Sequence, residues 1–152
     1  MFIHRVCAAL EREEIPYAIV GGYAVALHGA VRGTIDLDIV IHWSLKNLQN
    51  VESVLKKLGL VSLHPITADS VFRFREEYIQ NRNLIAWNFY DPSNQAFQID
   101  IVINYDLAQG RVKTMRTPSG PIKILARDDL IKMKKASGRP QDLIDVDALE
   151  SL

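Results

Sequence analysis

Two aspartates one residue apart, Asp36-Leu37-Asp38, stand inside the apolar run Ile35-Asp36-Leu37-Asp38-Ile39-Val40-Ile41. Aspartate is depleted in strand interiors, and a strand sends residues i and i+2 to one face, so the two carboxylates are expected side by side. Ile35, Leu37, Ile39 and Ile41 then form the opposite, core-facing side. Adjacent like charges repel, and buried charges are costly unless paired or coordinated, so a cation is expected between them. The alternative is an edge strand whose polar face is merely wet. A third acid argues against it. Asp100 lies in Phe97-Gln98-Ile99-Asp100-Ile101-Val102-Ile103, where alternation again separates the carboxylate from Ile99, Ile101 and Ile103. If the two strands are neighbours, Asp36, Asp38 and Asp100 converge.

The elements that must position these acids can be read around them. Phe2, Val6, Ala9 and Leu10 recur at helical spacing and Pro16 ends the run, which predicts a helix over 2–14. Tyr17 to Val20 reads as a short buried strand, and Gly21-Gly22 permits a tight turn into a small-residue helix reaching about Gly29. Ser44 is the expected N-cap of a helix with Leu45, Leu48, Val51, Leu55 and Leu58 on one stripe and Gly59 at its end. Leu60 to Leu63 reads as a short strand. Over 64–83 two readings stand: a helix capped by Asp69, or a strand from Val71 to Phe74. Leu84–Tyr90 and Ala96–Ile103 flank Asp91-Pro92-Ser93-Asn94 and predict an antiparallel hairpin carrying Asp100. Val112–Thr117 and Pro121–Leu125 predict a second hairpin. Asp128 or Asp129 is expected to open a helix to about Ala136, Gly138 to break it, and Pro140 to start a last helix to Leu149.

Composition bounds the function. A chain of 152 residues with 48% hydrophobic and 24% charged residues is expected to be one globular domain, 1–152, without long disordered stretches. The longest weakly polar run, Tyr17 to Val31, falls short of the roughly 20 residues of a membrane span. No charged segment followed by an apolar one opens the sequence, and a cytoplasmic location is the reading. Cys7 is the sole cysteine, which excludes a disulfide framework and a cysteine metal site. His4, His28, His42 and His64 have no metal-ligand spacing, and no serine sits in a nucleophile-elbow context. Gly21-Gly22 lacks both the Walker lysine and the dinucleotide-binding form. Charge is zero overall yet uneven. Residues 111–139 carry nine basic residues against Asp128 and Asp129, so the remainder is acidic by the same amount. An acidic pocket beside a basic flank suits a phosphate-bearing substrate, while a solvated basic face explains any one of those residues equally well.

A strand, Gly21-Gly22, a short helix, Asp36-Leu37-Asp38 and a later strand aspartate, Asp100, form an ordered set that resembles the nucleotidyltransferase superfamily of polymerase beta-like enzymes. Arg32-Gly33-Thr34 and the segment from Leu125 to Leu149, with Lys134, Gly138-Arg139, Asp142 and Asp145, are similar to small stand-alone bacterial members related to abortive-infection toxins. The resemblance implies an α/β (α+β) nucleotidyltransferase fold, with a mixed, largely antiparallel sheet and helices packed mainly on one face. It implies transfer of a nucleoside monophosphate from ATP or another NTP to a hydroxyl of a protein, a tRNA or a small molecule. Asp36, Asp38 and Asp100 would be catalytic and would hold magnesium or manganese, which favour oxygen ligands and can act as a pair in in-line displacement. Gly21 and Gly22 would admit the triphosphate without a side chain in the way, although many members carry serine at the second position. Arg32 and Thr34 either contact phosphate or cap their loop. Lys134 and Arg139 either reach the nucleotide or remain solvated. Asp142 and Asp145 are read as complementing the helix N-terminal dipole or pairing with Arg139, not as binding metal. An antitoxin or a second copy is the implied partner, with no membrane. The alternative is a catalytically inactive nucleotide- or partner-binding module of the same fold.

Overall fold

The computed structural model describes residues 2–34 and 36–152. Ile35, expected on the core face of the aspartate strand, lies outside the described residues. A seven-stranded sheet forms the centre, in the order β3-β4-β5-β2-β1-β7-β6. Its strands are β1 (Tyr17–Val20), β2 (Leu37–Ile41), β3 (Val61–Ser62), β4 (Ala86–Asp91), β5 (Asn94–Val102), β6 (Val112–Thr117) and β7 (Gly120–Leu125). Pairings β1/β2, β3/β4, β4/β5 and β6/β7 are antiparallel, whereas β2/β5 and β1/β7 are parallel. The sheet is therefore mixed and largely antiparallel, as the sequence predicts. No helix among the described residues is long and apolar enough to cross a membrane.

The helices are α1 (Phe2–Arg12), α2 (Gly21–Leu27), α3 (Leu45–Lys57), α4 (Ala68–Arg73), α5 (Arg75–Asn81), α6 (Arg127–Ser137) and α7 (Pro140–Glu150). α1 and α3 bury Val6, Leu10, Leu48, Val51 and Leu55, the apolar stripes read from the sequence. On β2 and β5, Leu37, Ile39, Ile99 and Ile101 are fully buried. All four residues of β1 are buried, as is Val40, so both faces of the middle strands are covered. α2 closes the second face, touching β1, β2, β7 and α7.

Local chemistry explains the boundaries. Ser44 Oγ accepts from Asn47 N at 3.0 Å and starts α3. In the ambiguous segment the helical reading holds, but Thr67, not Asp69, is the cap: Thr67 Oγ1 accepts from Ser70 N at 3.3 Å and Ser70 Oγ accepts from Thr67 N at 2.9 Å. Asp69 sits in the first turn instead. Neither Asp128 nor Asp129 caps α6, whose N-cap is Ala126. Asp129 turns inward and accepts from Arg111 N at 2.9 Å. Gly138 ends α6 in the left-handed region at φ 65°, and Pro140 begins α7. Substituting alanine for Gly138 places a Cβ in that left-handed conformation. It is expected to cost about 1 kcal/mol, read as a lower denaturation midpoint with an unchanged slope.

Candidate active site

Sheet register builds the site. Val20 pairs with Asp38 across β1/β2, Asp38 with Asp100 across β2/β5, and Asp100 with Asn88 across β5/β4. Cross-strand partners share a face, so these four side chains form one row over the sheet. The two aspartates are neighbours because the residues flanking them, Leu37 and Ile39 on β2 and Ile99 and Ile101 on β5, fill the opposite face. Asn88 Nδ2 donates to Asp100 Oδ1 at 2.8 Å and fixes that carboxylate. Burial, then the charges of Asp100 and Asp36, push the Asp38 carboxyl up to about 7, with Lys134 acting in the opposite sense.

Asp36 differs from its expected place. β2 begins at Leu37, so Asp36 precedes the ladder and the pleat does not dictate its direction. It lies within electrostatic reach of Asp38, but the cavity wall is formed by Asp38 and Asp100. Among the described residues, no three carboxylate, imidazole or thiol groups stand close enough together to hold a metal ion by themselves.

The two glycines have separate tasks. Gly21 adopts φ +67°, and a Cβ there would lie 2.1 Å from Asp38 Oδ2. Only glycine permits this approach of the α2 start to the carboxylate. Gly22 faces elsewhere. Its Cβ would lie 2.8 Å from Thr34 Cβ and 3.2 Å from Arg32 Cζ, so the segment Arg32–Thr34 occupies the space that a serine side chain would need. Arg32 and Thr34 are accordingly outside the cavity wall. Arg32 Nε donates to Asp145 Oδ1 at 3.0 Å, and Thr34 Oγ1 donates to the Asp36 carbonyl at 3.4 Å.

Above the row of acids opens a cavity of about 630 Å³. Its sheet side presents Gly21, Asp38 and Asp100; its helix side presents Lys134 and Arg139; Tyr105 and Met133 add apolar surface. Lys134 is buried, 2.9 Å from Asp145 Oδ2 and 3.5 Å from Asp142 Oδ1. Arg139 Nε donates to Asp142 Oδ2 at 2.8 Å while its side chain stays 68% exposed. Burial acts to raise the Asp142 carboxyl, but hydrogen bonds led by Arg139 outweigh it and hold the group at about 2. Burial likewise opposes the ionisation of Asp145, and the donors Lys134, Gln141 and Arg32 keep its carboxyl below the ordinary range. Asp142 thus pairs with Arg139, as read, whereas Asp145 pairs with Lys134 and Arg32 instead. His28 Nε2 is 2.8 Å from the Leu125 carbonyl, a packing contact and not a ligand position.

Asn88, which fixes Asp100, and Tyr105 and Gln109, which line the cavity, are not among the site residues expected from the sequence. Asn88 could have been found by extending the alternation of the hairpin to its first arm, whereas Tyr105 and Gln109 follow β5 without a periodic signal.

This arrangement carries its own pH dependence. The folded state raises the Asp38 carboxyl from an ordinary value near 4 to about 7, so between those values the folded protein binds the proton more tightly than the unfolded chain. Its contribution is complete below about pH 4 and is lost as pH rises through about 7. Asp38→Asn, which removes the repulsion, is expected to raise Tm above wild type at about pH 8, with the advantage shrinking toward about pH 5. Thermal unfolding followed by circular dichroism across that range checks it.

No protein-family model and no curated protein matches the sequence. Solved structures do. An antigenic nucleotidyltransferase-like protein from Paracoccidioides brasiliensis aligns with a TM-score of 0.61 at 19% identity, over 97% of this chain and 72% of that one. ANT(2″)-Ia, solved in complex with adenylyl-2″-tobramycin, gives 0.62 at 14% identity over 97% and 84% of the respective chains. The lincosamide antibiotic adenylyltransferase LnuA, lincomycin-bound, gives 0.60 at 13% identity over 93% and 90%. At such identities the likeness speaks to architecture, and this chain has the nucleotidyltransferase fold.

Proposed function

We propose that the protein transfers a nucleoside monophosphate from an NTP, ATP in the first instance, to the hydroxyl of a small-molecule acceptor. The observation that carries this reading is the adjacent Asp38 and Asp100, facing a cavity whose opposite wall bears Lys134 and Arg139. Carboxylates on one side and cations on the other match a substrate that carries phosphate together with a metal ion. ANT(2″)-Ia in complex with adenylyl-2″-tobramycin, and the lincosamide antibiotic adenylyltransferase LnuA with lincomycin bound, support a small-molecule acceptor.

The residues fit magnesium or manganese. Asp38 and Asp100 supply hard oxygen ligands, and the raised Asp38 carboxyl marks a place where a second positive charge would relieve repulsion. Magnesium is usually held by one or two carboxylates plus substrate phosphates, so a complete three-residue cage is not needed. When bound, the ion would neutralise phosphate charge and polarise the transferred phosphorus.

The chain's own groups have distinct roles. Gly21 keeps the approach to Asp38 open. Lys134 and Arg139 pair with non-bridging phosphate oxygens, with Asp142 and Asp145 holding them in place. Asp100, oriented by Asn88, accepts the proton of the acceptor hydroxyl. The hydroxyl oxygen then bonds to the α-phosphorus, the bond from that phosphorus to the bridging oxygen breaks, and pyrophosphate leaves with the electron pair.

Incubation with labelled ATP, GTP, CTP or UTP, magnesium and hydroxyl-bearing small molecules tests this reading. Asp38→Asn and Asp100→Asn are each expected to lower label transfer by at least about 100-fold. Transfer equal to wild type in both variants overturns the assignment. Saturable binding of ATP without transfer to any acceptor would instead support a nucleotide-binding module.

A further inference from the structure

One buried carboxylate fastens two cations that belong to different parts of the site. Asp145, 1% exposed, accepts from Arg32 Nε at 3.0 Å and Gln141 Nε2 at 2.9 Å through Oδ1, while Oδ2 lies 2.9 Å from Lys134 Nζ. Lys134 is part of the cavity wall. Arg32 belongs to the strap Arg32-Gly33-Thr34, which leads into Asp36 and Asp38 but does not itself line the cavity. Among the described residues, the strap's main chain makes no hydrogen bond to another element. Its fastenings are the Arg32–Asp145 pair and the close seat against bare Gly22, where even one methyl would collide with Thr34 Cβ at 2.8 Å.

We infer that Asp145 is a positioning residue: by holding Arg32 and Lys134 on one buried carboxylate, it sets the strap in front of the acidic pair and thereby the affinity for nucleotide. The ligand named here rests on the nucleotidyltransferase reading. Neutralising Asp145 leaves two cations facing one another without their shared counter-charge. The Arg32 side chain is 25% exposed and swings into solvent, carrying the strap with it. Lys134, 8% exposed, turns to the remaining acids, Asp142 and Asp38, and so competes with the metal–nucleotide for Asp38.

Two readouts test this on the intact chain. Trypsin cleavage of the folded protein at Arg32–Gly33 is compared with cleavage after exposed Lys46, which reports general opening. Asp145→Asn is expected to raise the ratio of the two cuts, and to raise the Kd for ATP with magnesium by about tenfold, the scale typical of outer-shell partners. Arg32→Gln is expected to raise that Kd similarly, and Asp145→Asn combined with it to fall short of the product of the two effects. Gly22→Ala displaces the strap from its other side and is expected to raise the cleavage ratio too, which keeps the test open if Asp145→Asn fails to fold. A purely structural Asp145 lowers Tm and accelerates both cuts together, leaving ratio and Kd unchanged; that result overturns the inference. A loosened strap with an unchanged Kd also overturns it. If wild type binds no ATP at all, the nucleotidyltransferase reading falls, while the cleavage ratio still decides whether Asp145 fastens the strap.

Discussion

The structure turns on the contact between Asp38 and Asp100, two carboxylates placed side by side on parallel strands. The core enforces it. Leu37, Ile39, Ile99 and Ile101 occupy the other face of the same strands and are fully buried, so a slip of either strand by one residue would drive an aspartate into the core and an isoleucine into the cavity. Hydrophobic burial thus holds together two charges that repel. Burial first, and that repulsion after it, raise the Asp38 carboxyl, and a proton or an added cation relieves both.

The rest of the site answers that constraint. Gly21 gives up its side chain so that α2 can start directly against Asp38, and Asn88 fixes Asp100 from the next strand. Facing them, α6 and α7 bring Lys134 and Arg139, themselves anchored by Asp142 and Asp145. Among the described residues Asp38 and Asp100 make no salt bridge, whereas Lys134 and Arg139 on the helix side are each paired with acids. Such division of charge across one cavity is what a ligand carrying both phosphate and divalent metal requires.

Much of this was legible because the decisive signals were local. Alternation around Asp38 and Asp100, the turn Asp91-Pro92-Ser93-Asn94, the Ser44 cap and the Gly138-Arg139-Pro140 break each rest on a few adjacent residues, and the structure contains the corresponding elements. Local rules also misled where two caps competed: Thr67 forms a reciprocal pair with Ser70, which Asp69 cannot match from inside the first turn. Asp36 shows where alternation stops, since the pleat constrains only residues within a ladder. The Arg32–Asp145 pair joins residues 113 positions apart, and the room taken from Gly22 by Thr34 depends on how a strap folds back. No spacing rule reaches such contacts; they follow from tertiary packing alone. The nucleotidyltransferase fold implied by the ordered motif is matched by the solved structures, whose 13–19% identity leaves the chemistry to the site's own residues.

The most direct measurement is diffraction from crystals soaked with manganese and a non-hydrolysable ATP analogue, with data collected at the manganese edge. The account predicts an anomalous peak within coordinating distance of Asp38 and Asp100, with the triphosphate running between Gly21 and Lys134. Manganese and nucleotide bound elsewhere on the chain, with both carboxylates unliganded, would contradict it.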